Sequence, residues 1–137
     1  MRLFLDTSAF VALEDLDDAS HREAMEFREK VRKGDTSFRT LSTSNYVVDE
    51  TLTLLRMHCG HRVAVSFRKS LEASKLVRVL WVTEAMEKAA WKLFEKHSDK
   101  EYSFTDCTSF ALMETEAIRN AFAFDEHFSQ QGYNVVP

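Results

Sequence analysis

"MRLFLDTSAFVAL", residues 1–13, is an apolar run that ends on one carboxylate before apolar residues resume. The run Arg2–Leu5 is as long as a short strand and too apolar to alternate, which is the pattern of a buried strand. "TSAFVALEDL" then predicts a short helix beginning at Thr7 or Ser8. Asp6 stands at the junction, where an uncharged polar residue could make the same turn.

The rest of the chain repeats this grammar. Ser20 opens "HREAMEFREKVRK", which Gly34 ends, and "SFRTLS" predicts a short strand. Ser44 caps a predicted helix through "NYVVDETLTLLRMHC", closed by Gly60, and an amphipathic helix follows from about His61 to Ser74. "LVRVLWV" predicts a second strong strand, and Thr83 opens "EAMEKAAWKLFEKH". Ser103 and Asp106 stand in the capping-box relation ahead of "CTSFALMETEA". "NAFAF" is a strand, "DEHFSQ" a short turn or helix, and "YNVV" a last edge strand. Short apolar strands separated by helices predict an α/β fold around a parallel sheet.

The 137 residues suit one domain, 1–137, with a core that needs no staples. No apolar run approaches the ~20 residues of a membrane span. Cys59 and Cys107 make no disulfide framework, so the expected setting is a reducing cytoplasm. A net charge of −4 argues against broad adhesion to nucleic acid, though not against a nucleic-acid substrate at an acidic, metal-loaded centre. "HCGH" at 58–61 has no second Cys–His pair at zinc spacing. The acidic run "EDLDD" at 14–18 fits a solvated helix-end loop.

In open α/β sheets ligands gather beyond the carboxyl ends of the strands. Asp6 and Asp125 each follow an apparent strand, so parallel neighbours would deliver both to one edge. Asp106 falls in the first turn of a helix, where the dipole favours a carboxylate. At about 100° per residue, Val47, Val48, Thr51, Leu54 and Leu55 define a buried helix side. Glu50 lies on its flank with Tyr46 and Met57, while Asp49 points further out; the border position favours Glu50. Each acid alone has a plainer reading: an N-cap for Asp6, a first-turn charge for Asp106, a solvated helix residue for Glu50, a turn-former for Asp125. Carboxylates brought together repel, and hard divalent cations relieve that repulsion.

"LFLDTSAFVAL", "VVDETLTLL", "FTDCTSFALM" and "AFAFDEHF", in that order, resemble the signature of the PIN-domain ribonucleases, and within them the VapC-type toxins of prokaryotic toxin–antitoxin pairs. The resemblance runs from Arg2 to the C-terminus. It implies a three-layer α/β/α sandwich with a mainly parallel sheet, Mg²⁺ or Mn²⁺ held by acids, and cleavage of RNA. By motif position it assigns catalysis and metal binding to Asp6, Glu50, Asp106 and Asp125. It further implies a cognate antitoxin and a homodimer, for which the "NYVVDETLTLL" and "HRVAVSFRKSL" helices offer surfaces. Cys107 departs from the small residue often found there.

Thr7 and Thr105 adjoin two of the acids and are expected to orient carboxylates or to cap helix starts, the latter being the simpler role. His127 stands beside Asp125, within reach of substrate, though a structural or surface place is the simpler reading. Arg39, Arg56, Arg62, Arg68 and Lys69 are candidates for RNA phosphates, Tyr46 and Phe104 for base stacking, with core packing favoured for Phe104. Two other readings stand beside this one. One is a PIN-like module that binds RNA or a protein partner without cutting. An aspartyl phosphatase shares the opening strand–Asp pattern, but Ser8 occupies the position where it needs a second Asp.

Overall fold

In the computed structural model, which describes residues 1–137, five strands form one sheet in the order β3-β2-β1-β4-β5, every neighbouring pair parallel. The strands are β1 (Arg2–Leu5), β2 (Thr40–Ser44), β3 (Val77–Leu80), β4 (Asn120–Phe122) and β5 (Asn134–Val136). The helices are α1 (Thr7–Glu14), α2 (His21–Lys33), α3 (Asn45–Cys59), α4 (His61–Ala73), α5 (Glu84–Lys96), α6 (Phe104–Glu116) and α7 (His127–Gln130). None is long and apolar enough to cross a membrane.

The sheet is covered on both faces, as a parallel sheet must be. Leu3, Leu5, Leu41 and Phe122 share one face with Phe10 of α1, Val31 of α2 and Phe67 of α4, around an apolar cavity of about 230 Å³. Phe4 turns to the opposite face, where its ring lies 6.3 Å from Phe128 of α7, which meets Phe110 of α6 at 5.1 Å. Helix α5 packs outside α6, and α3 touches α1, α4 and α6. The result is the α/β/α sandwich expected of the sequence.

Two features differ in detail from expectation. The second strong strand of the sequence, β3, lies at the sheet edge and pairs only with β2; Val79 is exposed and Trp81 leaves the strand altogether. Periodicity reports which side a residue faces, not how much structure covers that side. Ser20 occupies the N-cap of α2 without capping by its side chain; its own N–H donates to Asp18 Oδ1 at 2.8 Å instead.

Candidate active site

Because β1 and β4 are parallel neighbours, their carboxyl ends open on the same edge of the sheet. Asp6 follows β1 directly, and its N–H donates to Phe122 O at 3.1 Å, extending the ladder by one bond. Asp125 leaves β4 after Ala123 and Phe124. Helix α3 starts without a linker after β2 and carries Glu50 in its second turn, while α6 brings Asp106 in its first. All four acids line one cleft of about 570 Å³, together with Thr7, Ser8, Ser103 and His127. Asp6 and Asp106 are almost wholly buried, 2% and 5% exposed.

Three of these carboxylates are held by one oxygen and leave the other without a hydrogen bond. Asp6 Oδ2 accepts from Ser8 N–H at 3.1 Å and from Ser8 Oγ at 2.7 Å, capping α1. Its Oδ1 is buried and has no partner. Asp106 Oδ2 accepts from Ser103 N–H at 3.0 Å, completing the capping box, and meets His127 Nδ1 at 2.7 Å. Asp125 Oδ1 accepts from His127 N–H at 3.0 Å in a local turn. The local roles and the shared cleft are therefore compatible: each acid caps or turns with one oxygen and keeps the second for something else.

The electrostatics of the cleft disfavour crowded, uncompensated carboxylates. Burial, then the nearby charges of Asp125 and Asp106, push the Asp6 carboxyl up to about 7 despite the two bonds from Ser8. Burial raises Asp106, outweighing the help of the Ser103 N–H and of His127, with Asp125 adding to the rise. Glu50 is raised chiefly by burial. Burial works to lower His127, but the charge and hydrogen bond of Asp106 raise it overall. A buried oxygen without a donor and crowded like charges are both costly. An oxygen-loving dication offsets both, so the donor set fits Mg²⁺ or Mn²⁺. Asp106, Asp125 and His127 each present one ligand atom within 4.8 Å of the others.

Glu50 lines the cleft, whereas Asp49 faces another hollow beside Trp81 and Arg68. Thr7 and Thr105 do not cap; the caps are Asp6 and Ser103, because each threonine already lies inside its helix. Thr7 Oγ1 is buried without a well-formed hydrogen bond, yet it and the Thr105 hydroxyl favour the charged form of Glu50. Arg56 lies apart, exposed in a groove between α3 and α4 with His61, Arg68 and Lys69. His127 is a member of the acidic cluster rather than a surface residue: the turn at Asp125 folds it back onto Asp106. Ser8 braces the site, and no sequence pattern singles it out. It bonds Asp6 and accepts from Phe124 N–H at 3.0 Å, a tie across 116 residues whose only trace in the sequence is the Asp-Thr-Ser order.

A family model described as PIN domain matches residues 3–132. The chain is 42% identical, over 131 residues, to the 23S rRNA-specific endonuclease VapC20 of Mycobacterium tuberculosis, covering 96% of this chain and 95% of that protein. The crystal structure of that VapC20, described as a sarcin-ricin loop cleaving toxin, superimposes with a TM-score of 0.86 at 40% identity, covering 96% of this chain and 95% of the other. VapBC2 from Rickettsia felis, solved bound to a DNA fragment from its promoter, shares the fold at a TM-score of 0.68 and 12% identity, over 99% of this chain and 98% of that one.

Proposed function

The chain belongs to the PIN-domain family, and from that premise we propose that it is a metal-dependent endoribonuclease, the toxin of a toxin–antitoxin pair. The observation that carries this reading is the meeting of Asp6, Glu50, Asp106 and Asp125 in one cleft, three of them with an oxygen to spare. Asp6, Asp106 and Asp125 would hold Mg²⁺ or Mn²⁺. When bound, the cation neutralises phosphate charge and makes the attacking water more acidic.

The residues of the chain divide the remaining work. Glu50, half-buried and raised by burial, accepts a proton from the attacking water. Ser8 fixes the rotamer of Asp6, and His127 fixes that of Asp106. Water attacks phosphorus in line with the departing 3′ oxygen. A new P–O bond forms and the P–O3′ bond breaks, and the departing 3′ oxygen takes a proton from solvent water, leaving a 5′-phosphate and a 3′-hydroxyl.

The relative at 42% identity is named for 23S rRNA, which makes ribosomal RNA the substrate to test first. The partners we assign are a cognate antitoxin and a second copy of the chain, acting in the cytoplasm.

Asp6→Asn and Asp106→Asn, assayed separately on 23S rRNA with Mg²⁺ or Mn²⁺, should each lose cleavage by at least about a hundred-fold. Their circular dichroism should match the parent chain. Undiminished cleavage by either variant, or by the parent in excess EDTA, overturns the assignment.

A further inference from the structure

Tyr102 stands immediately before the capping box of α6 and is 6% exposed. Its ring meets that of Phe110 at 5.0 Å and also that of His127 at 5.7 Å, with the latter planes 70° apart. Its hydroxyl donates to Gln131 Oε1 at 3.0 Å. Gln131 ends α7, and its own N–H donates to His127 O at 3.1 Å. One buried side chain therefore touches both the first residue of α7 and the residue that closes it.

His127 is the link from α7 to the acids. Its Nδ1 lies 2.7 Å from Asp106 Oδ2 and 3.9 Å from Asp125 Oδ1. A carboxylate only accepts, so Nδ1 carries the hydrogen of that bond. Turned over about its Cβ–Cγ bond, the imidazole would present carbon Cδ2 where Nδ1 now stands, and the bond would be lost. That torsion is broad and two-fold, so contacts outside the residue must choose between the two faces. Helix α7 is one turn of four residues, with little stability of its own; Phe128 anchors it in the core, and Tyr102 meets its two ends. Packing alone calls for a ring at position 102. The hydroxyl adds a bond to the end of α7, and the ring falls on the histidine that touches the acids.

We propose that Tyr102 is a positioning residue of the acidic site: with its ring on His127 and its hydroxyl on Gln131, it keeps Nδ1 facing Asp106 and so leaves the other oxygen of Asp106 free for a cation. This role rests on the metal-dependent reading and adds to it what holds Asp106 in place.

Nitrogen NMR of the histidine-labelled, metal-free chain, above the pH at which His127 loses its proton, should find its remaining hydrogen on Nδ1. Tyr102→Leu should shift that hydrogen wholly or partly to Nε2 and weaken Mn²⁺ binding in isothermal titration by roughly ten-fold. Tyr102→Phe, which keeps the ring, should recover most of the loss. His127→Ala should weaken Mn²⁺ as much as Tyr102→Leu does, and the double variant should be no weaker than His127→Ala, because one residue acts through the other. Gln131→Ala leaves the core untouched and should give a smaller loss of Mn²⁺ affinity, a result that holds even if Tyr102→Leu does not fold. A hydrogen on Nε2 in the parent chain overturns the role of Tyr102. So do losses that add in the double variant, or parent-like Mn²⁺ affinity in both Tyr102→Leu and Gln131→Ala; if Tyr102→Leu does not fold, parent-like affinity in Gln131→Ala is enough. A parent chain with the Nδ1 hydrogen, displaced in Tyr102→Leu or Gln131→Ala, that binds neither Mn²⁺ nor Mg²⁺ supports the positioning of His127 and overturns the metal-dependent reading instead.

Discussion

Asp6 bonds with one carboxylate oxygen and leaves the other unbonded, and the division depends on Ser8. The serine hydroxyl donates to Asp6 Oδ2 while accepting from Phe124 N–H, so it sets the carboxylate rotamer and ties β1 to the end of β4. Ser8→Ala should cost about 1–2 kcal/mol of stability in chemical denaturation, since a backbone N–H loses its acceptor. It should also lower metal-dependent cleavage roughly ten- to a hundred-fold. Activity equal to the parent's would show that Asp6 needs no such brace. That Asp6 and Asp125 share an edge could be read from the strand ends, and Asp106 from a helix start, whereas the place of Glu50 with them rested on the family resemblance. Glu50 separates from Asp49 by helical angle alone. Ser8 and His127 were not legible in their roles, because Ser8 reaches across 116 residues and His127 across 21, and no local pattern encodes either approach.

The first turn of α6 shows how an element and a site are built together. Ser103 Oγ accepts from Asp106 N–H at 3.0 Å, and Asp106 Oδ2 accepts in return from Ser103 N–H. Ser103→Ala removes one of these bonds and should cost about 1 kcal/mol in thermal or urea unfolding. The Ser103 N–H remains to hold Asp106, so cleavage should fall by less than it does in Ser8→Ala; a fall as large as that of Asp106→Asn would assign Ser103 a direct part in the chemistry. Elements of this kind are the most legible part of the fold, since caps and glycines mark their ends. The order of strands is less so: β3 has the Val and Trp content of a central strand but sits at the rim, where Trp81 is 72% exposed.

For the molecule as a whole, the crowded cleft links folding to protons and, on the proposed function, to metal. The Asp6 carboxyl titrates near 3.8 as an unperturbed group and at about 7 in the fold, so the folded chain binds that proton more tightly. The stability this contributes is full below about pH 4 and is lost as pH rises through about 7. His127, also raised, acts in the same direction: its contribution is full below its ordinary range near 6.5 and is lost as pH rises through its folded value. In EDTA the midpoint of thermal unfolding should therefore fall between about pH 5 and pH 8. Mg²⁺ or Mn²⁺ at a hundred times its Kd should restore about 2.7 kcal/mol at the upper end. A midpoint that climbs with pH in EDTA would contradict the cost assigned to the charged acids.

Phe4 pairs with Ser42 on one side and Ala121 on the other, so the central strand finds its second neighbour only after more than a hundred further residues. Such distant pairing is slow to form, and until it forms Asp6 and Asp125 have no common address. On a translating ribosome the amino end must wait, partly dressed, for the closing strand to emerge. A half-made chain therefore carries Asp6 and Glu50 without the two acids that complete their cleft.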